Sequence, residues 1–379
     1  MGKGAGLSRP PFMSWLRGPR RNELFWAFLF LLPLLWTLGV AFAYAFFRAL
    51  WWSFCDYDLF ASPKFVGLAN YAKLFADLHF LKALFHSLSF AVIVTFTQTF
   101  LALLLAIALN QKIRGLTFFR AAFYTPSILS SVIVGLIFIW FTYRRGVVNF
   151  LLTVARNYHP YFLSFLGLVI VMQSTLVLWG RKRGFPVRAF DPVYLWISLF
   201  VGGVGTFFLG HFRLIQPKSM PPVDIIWLET AEKFLGIPRP LWAIMALNIG
   251  TTVPTMMLFF LAGLQDVPRE LYEVAELDGA SWWAKLWYVT IPALRPVMFL
   301  VITLGLIGTL QMFDQAAITS GVAPLDSVIT LAYYVYWNMF GAGGLPRVGM
   351  AAAAAIFLAV LTLVVVLIQR RVGIGEKAW

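Results

Sequence analysis

Residues 241–263 read LWAIMALNIGTTVPTMMLFFLAG, a run with no charge in it, and 264–296 then read LQDVPRELYEVAELDGASWWAKLWYVTIPALRP. An uncharged apolar run of about 20 residues is long enough to cross a bilayer as a helix. The acidic and basic residues that follow mark the point where the chain leaves the lipid. That junction sets the class: a helical membrane protein with a polar loop of distinct character.

Outward from this junction, comparable runs recur near 24–47, 82–109, 118–141, 161–179, 193–210, 293–313 and 350–369, eight in all. The pair at 161–179 and 193–210 is the shortest, and a re-entrant pair is the alternative to two full spans. Composition agrees. Of 379 residues 60% are hydrophobic and 12% charged, against about 25% charged in a soluble domain. Too few charged residues remain to cover a water-facing surface. Cys55 is the only cysteine, which excludes a disulfide framework and a cysteine-based metal site.

The net charge of +14 does not point to nucleic acid, because Lys and Arg punctuate the apolar runs instead of gathering on one face. Basic residues are retained on the cytoplasmic side of a membrane. With the N-terminus inside, internal segments hold Lys112 and Arg114, then Arg181, Lys182, Arg183 and Arg188, then Arg370 and Arg371, whereas the external segment 314–349 holds only Arg347. Arg144 and Arg145 are external exceptions. Both termini are expected in the cytoplasm. Arg17, Arg20 and Arg21 precede the first run and Ala41-Phe42-Ala43 looks like a cleavage site, but Leu24 to Phe47 exceeds the 7–15 residues of a signal core. It reads as a retained first span. The spans hold almost no ionisable residue, His86 being the nearest exception. Ion-coupled carriers commonly place such groups in the membrane, so a neutral substrate and an energy source outside this chain are expected.

The loop after 264 predicts two short helices. Asp266 is a candidate N-cap with Pro268 in the first turn. Leu271, Val274, Ala275 and Leu277 recur at helical spacing among Glu270, Glu273 and Glu276. Gly279 can end that helix and Ser281 begin the next. Interfacial helices lying on lipid are usually rich in Lys and Arg; an acidic one suits a basic protein partner better.

Glu273-Val274-Ala275, three residues, Gly279, nine residues, then Val289-Thr290-Ile291-Pro292 resembles the EAA loop of ABC importer permeases. Val274, Val289 and Ile291 depart from the family pattern, each to a similar apolar type. The run ELYEVAELDGAS resembles the form found in maltose-type carbohydrate permeases. PKFVGLANYAKLF at 63–75 and ALNQKIRGLTFFRAAFYTPSILS at 108–130 resemble two further segments of that family. The likeness covers about 24–150 and 223–371. It implies an all-α polytopic fold: a cytoplasmic segment 1–23, three spans in 24–150, three in 223–371 with a coupling loop at 264–292, and a tail 372–379. Residues 151–222 read as an inserted helical hairpin.

The resemblance further implies a permease subunit of an ATP-driven importer in a prokaryotic inner membrane. Its partners would be a second, different permease, an ATPase dimer, an extracytoplasmic solute-binding protein and a sugar or polyol substrate, with lipid around it and no cofactor. Glu273, Ala275, Gly279 and Pro292 would couple to the ATPase. No G-x-x-x-x-G-K occurs, so no P-loop lies in this chain. For the substrate pathway, Asn248, Thr251, Thr252 and Thr255 share one helical face, with Pro254 inside the stripe, and Thr309 and Gln311 lie on the next span. Helix–helix packing is the competing reading of such small polar residues. The external aromatics Trp51, Trp52, Tyr333, Tyr334 and Trp337 read as an interfacial belt. A polytopic membrane enzyme, such as a lipid-linked glycosyltransferase, is the alternative class, with Asp56 and Asp58 its nearest candidates; a secondary carrier is a third.

Overall fold

The structure is a computed structural model that describes residues 20–110, 125, 129–185, 191–340 and 344–372. Lys112, Arg114, Arg188, the start of the 118–141 run and most of both terminal segments lie outside the described residues. Along the chain come α1 (Arg20–Thr37) and α2 (Ala45–Ser53), joined by a π-helical turn, then α3 (Ala69–Ala76), α4 (Leu78–Leu109), α5 (Ser131–Thr142), α6 (Val147–Lys182) and α7 (Pro192–His211). There follow α8 (Arg239–Asp266), α9 (Arg269–Leu277), α10 (Trp282–Lys285), α11 (Arg295–Leu310), α12 (Asp314–Thr319), α13 (Leu331–Met339) and α14 (Val348–Val372). Two short antiparallel pairs, Cys55–Asp56 with Lys64–Phe65 and Lys233–Phe234 with Ile237–Pro238, complete the pattern. Seven helices among the described residues are long and apolar enough to cross a membrane. The expected 118–141 span is described only from Leu129 onward, where α5 is a shorter apolar helix.

The chain divides into two compact units. In the first, built from residues 20–87, 306–311 and 330–372, α14 packs on α2, α3 and α13. The alanine run Ala351–Ala354 is buried, and small side chains let helix backbones approach closely in a membrane. Phe80 meets Tyr334 and Phe357 edge-on at 5.5 and 5.3 Å. The 63–75 segment has a structural task here: buried Asn70 donates to the carbonyls of Ser53 and Cys55 at 3.0 and 2.8 Å. Those carbonyls lie just at and beyond the end of α2, where helix geometry leaves them without partners.

In the second unit, residues 88–305 and 312–329, the core joins Ala102, Ala106 and Leu109 of α4 to Met257, Phe260, Leu261 and Leu264 of α8, with Leu294 and Val301. Gly263 is required at this seam, since a Cβ there would lie 2.6 Å from Val297.

The 161–179 run is only part of α6, which begins at Val147 and has 36 residues, about 54 Å at 1.5 Å per residue. Hydropathy detects the apolar stretch alone. The preceding VVNFLLTVARNYHP stays helical because residues 218–227 strap it. Buried Asn149 donates to the carbonyls of Arg144 and Ile225, both at 2.8 Å, and accepts from the Trp227 indole at 2.9 Å. Val223 N–H donates to Thr153, and Arg144 pairs with Asp224. The 20-residue α7 is about 30 Å long, a length that matches a hydrocarbon core.

Asn149→Ala should leave the Trp227 donor and two carbonyls unpaired, at a cost of about 2–4 kcal/mol by the usual penalties. Limited proteolysis should then cut within 216–228 faster than in the wild type. The hydrogen bond from Arg144 holds the Asp224 carboxyl below its ordinary value. Its contribution is therefore full above the ordinary carboxylate range and lost as pH falls through the lowered value, and the strap should become easier to cleave in acid.

Candidate functional site

The 264–292 loop forms the two short helices expected of it, with one correction. Asp266 does not cap a helix: it is the last residue of α8, and Pro268 is the N-cap of α9, with ψ 133°. Proline disfavours helical backbone in the residue before it, so Val267 is extended and separates the two helices. At the other end α9 closes as the spacing predicts. Gly279 has φ +73°, its N–H donates to Glu276 at 3.0 Å, and Ala280 N–H donates to Ala275 at 2.9 Å. These are the two bonds of a Schellman cap. The Ser281 hydroxyl then accepts from Ala284 N–H at 3.3 Å to start α10.

Two side-chain links hold the loop in shape. Lys285 donates to Glu276 at 2.7 Å, tying α10 to α9, and the hydroxyls of Tyr272 and Thr290 lie 3.1 Å apart. Outside these links the surface is unusual. Leu277 is 89% and Tyr288 82% exposed, and Val274, Trp282, Trp283 and Trp287 are exposed too. Glu273 is exposed among them, with no salt bridge among the described residues. Ala275 and Pro292 are half-buried, Pro292 within the single turn Ile291–Ala293. An exposed apolar patch of this kind marks an interaction surface; here a carboxylate sits within it.

The polar stripe lies on α8 in the second unit, and its hydroxyls are largely used within the helix. Thr251 donates to Asn248 O at 3.0 Å and to Leu247 O at 3.2 Å. The Thr252 hydroxyl reaches Gln98 Oε1 at 2.7 Å and Asn248 O at 2.8 Å. Asn248 Nδ2 donates to Gln315 Oε1 at 3.0 Å, while its Oδ1 is buried without a partner. Thr251, Thr252, Thr255, Ser131 and Gln315 line a cavity of about 270 Å³. Every polar group on that wall is neutral. Thr309 is buried and donates to Leu306 O; Thr309 and exposed Gln311 belong to the first unit.

Sequence reasoning missed Gln98 and Gln315. The available signal was an amide inside an apolar helix, VTFTQTF at 94–100, where a polar side chain must find a partner. A Cβ at Gly305 would stand 2.5 Å from Gln98 Nε2, so that glycine makes room for the amide.

Asp56 and Asp58, raised as external enzyme candidates, lie in the first unit with Asp77 on a cavity of about 680 Å³. Two of the three have structural tasks. The Asp58 carboxylate accepts the N–H groups of Phe60 and Ala61, bonds that hold it below its ordinary pKa. Asp77 accepts from the Tyr334 hydroxyl at 2.6 Å.

The family model for binding-protein-dependent transport system inner membrane components matches residues 186–373. Over those residues the chain carries that family's pattern. Its match begins inside the segment expected to be inserted, so it takes in α7 as well as the 264–292 loop. The multiple sugar-binding transport permease MsmF of Streptococcus mutans is 28% identical, over 91% of this chain and 94% of its own. The sn-glycerol-3-phosphate permease UgpA of Yersinia pestis is 26% identical, over 96% of each chain. A chain of a bacterial alginate ABC importer shares the fold, with a TM-score of 0.62 over 96% of this chain and 98% of that one at 20% identity. The protein is thus an importer permease subunit, a multi-pass component of the prokaryotic inner membrane.

The permease loop depends on left-handed backbone at Gly279, where the space for a Cβ is open. Gly279→Val should therefore act through conformation alone, straining the turn by about 1–3 kcal/mol. Gly279→Asn, a residue that tolerates such backbone, should keep more uptake than Gly279→Val when both are measured in cells at equal expression.

Proposed function

We propose that this permease carries a neutral sugar or related polyol past the polar face of α8, driven by a separate ATPase dimer that docks on the 264–292 loop. The reading includes a heterodimer with a second, different permease and delivery by an extracytoplasmic solute-binding protein. ATP is hydrolysed by the partner and not by this chain. Both termini face the cytoplasm. Residues 24–150 and 223–371 form the six-span core.

The observation that carries the reading is the α9–α10 knob. Its backbone is closed by the Schellman cap and the Lys285–Glu276 pair, so it can transmit force as a unit. Its outer surface still presents Glu273 beside exposed Val274 and Leu277. A rigid, apolar and acidic projection suits a partner with a cationic group set in an apolar recess. Movement of that partner would bear on α8 and α11, the helices on either side of the loop.

The uncharged cavity on α8 supports a hydroxylated cargo. The cavity wall offers the hydroxyls of Thr251, Thr252 and Thr255 and the Gln315 amide, the last held in place by Asn248 from behind the wall. The sugars named for relatives such as MsmF favour a carbohydrate; among the described residues the cavity wall carries no cation, which favours an uncharged one.

Two experiments test this. Glu273→Ala should reduce co-purification of the ATPase by about tenfold or more, the loss expected for a charge-assisted hydrogen bond, while membrane insertion is unchanged. Full ATPase recovery and full uptake would remove Glu273 from the coupling contact. Asn248→Leu should lower sugar uptake with assembly and basal ATPase activity retained; loss of assembly instead would make the stripe packing alone.

A further inference from the structure

The α6–α7 hairpin of the second unit leaves much of its surface unused by the protein. α7 packs chiefly on α6, and the seam consumes its small residues. The Ser198 hydroxyl donates to Gln173 at 2.8 Å, and Cβ atoms at Gly202 and Gly205 would lie 2.5 and 2.9 Å from Val169 and Leu168. What α7 turns outward is bulky: Trp196, Phe200 and Phe207 are 74, 72 and 69% exposed. Helix–helix contacts in a membrane favour small residues that let backbones approach. The outward face of α7 suits acyl chains better than a further helix.

One end of the hairpin adds charge. Arg181, Lys182 and Arg183 are consecutive and exposed, with no salt bridge among the described residues. Trp179, 47% exposed, lies under Arg183, whose guanidinium carbon is 4.1 Å from the ring centroid. Asp191, the next acid along the chain, accepts from Val193 N–H to cap α7. One cation stacked on a tryptophan and two more exposed beside it, next to a wall of aromatic and aliphatic side chains, complement a phosphate-bearing headgroup with its acyl chains.

We propose that the Arg181–Arg183 end of this hairpin binds the headgroup of an anionic phospholipid, whose chains lie along the outward faces of α6 and α7. Because α7 and α8 each cross once between them, this end shares a membrane face with the coupling loop, the face where basic flanks and anionic lipids attract each other. The proposal does not depend on what the permease carries. Basic residues retained for topology alone would hold an anionic and a zwitterionic phospholipid equally well, and that difference can be measured.

The test is native mass spectrometry of the full-length chain in a neutral detergent, with phosphatidylglycerol or phosphatidylcholine added at equal concentration. The wild type should keep phosphatidylglycerol under activation that strips phosphatidylcholine. Each cation near an anionic surface strengthens attachment by about 1 kcal/mol, roughly fivefold. Arg181→Gln with Arg183→Gln should therefore weaken phosphatidylglycerol retention by about 25-fold, whereas Arg181→Lys with Arg183→Lys should keep most of it. Arg370→Gln with Arg371→Gln, an equal charge loss at the end of α14, should change it little. Equal retention of the two lipids by the wild type would overturn the proposal, and this arm needs no variant to fold. So would undiminished retention in the first pair, or an equal loss in the α14 pair.

Discussion

Hydrocarbon offers a backbone N–H or C=O nothing to bond with, and this one constraint organises the molecule. Helices satisfy the demand internally, so the apolar runs among the described residues become helices, and exceptions are handled by named side chains. The carbonyls of Ser53 and Cys55 are taken by Asn70. Proline 254, buried inside α8, lacks the N–H that would meet the carbonyl four residues back. It stands among Thr251, Thr252 and Thr255, in the most polar part of that helix.

The same constraint makes polar side chains in the spans informative. Gln98, Thr252, Asn248 and Gln315 cannot be left unpaired in lipid without a cost of several kcal/mol, and they pair with one another. The pairing serves packing and leaves one acceptor, Asn248 Oδ1, unused. Packing glue and substrate contact are therefore not exclusive readings of the stripe. A site formed from neutral amides and hydroxyls can hold a hydroxylated cargo weakly, as a transport site must in order to release it.

Outside the membrane the problem reverses, because water competes for every bond. The loop between α8 and α11 meets it with a proline that separates α9 from α8, a left-handed glycine that closes α9, and a short ion pair that ties α10 back. These local devices fix backbone shape cheaply. They leave Glu273, Val274 and Leu277 exposed on the outward side of α9. The strap over the start of α6 follows the same logic with Asn149 at its centre.

The amino-acid sequence by itself determined seven of the eight expected spans, the short helices of the loop, the glycine turn and the serine cap, because hydropathy and cap chemistry are local and act over a few residues. It also carried the family through spaced residues such as Glu273 and Gly279. It misplaced the start of α6 by reading only its apolar part, and it assigned Asp266 a cap that Pro268 occupies, since the helix of α8 runs on until proline stops it. Only the tertiary structure decided which stripe residues meet: Thr252 with Gln98 across 154 positions and Asn248 with Gln315 across 67. It alone decided that the small residues of α7 face α6 and the bulky ones face outward. Spacing along a chain defines a helix face, but which neighbour that face meets depends on how separate helices fit against one another.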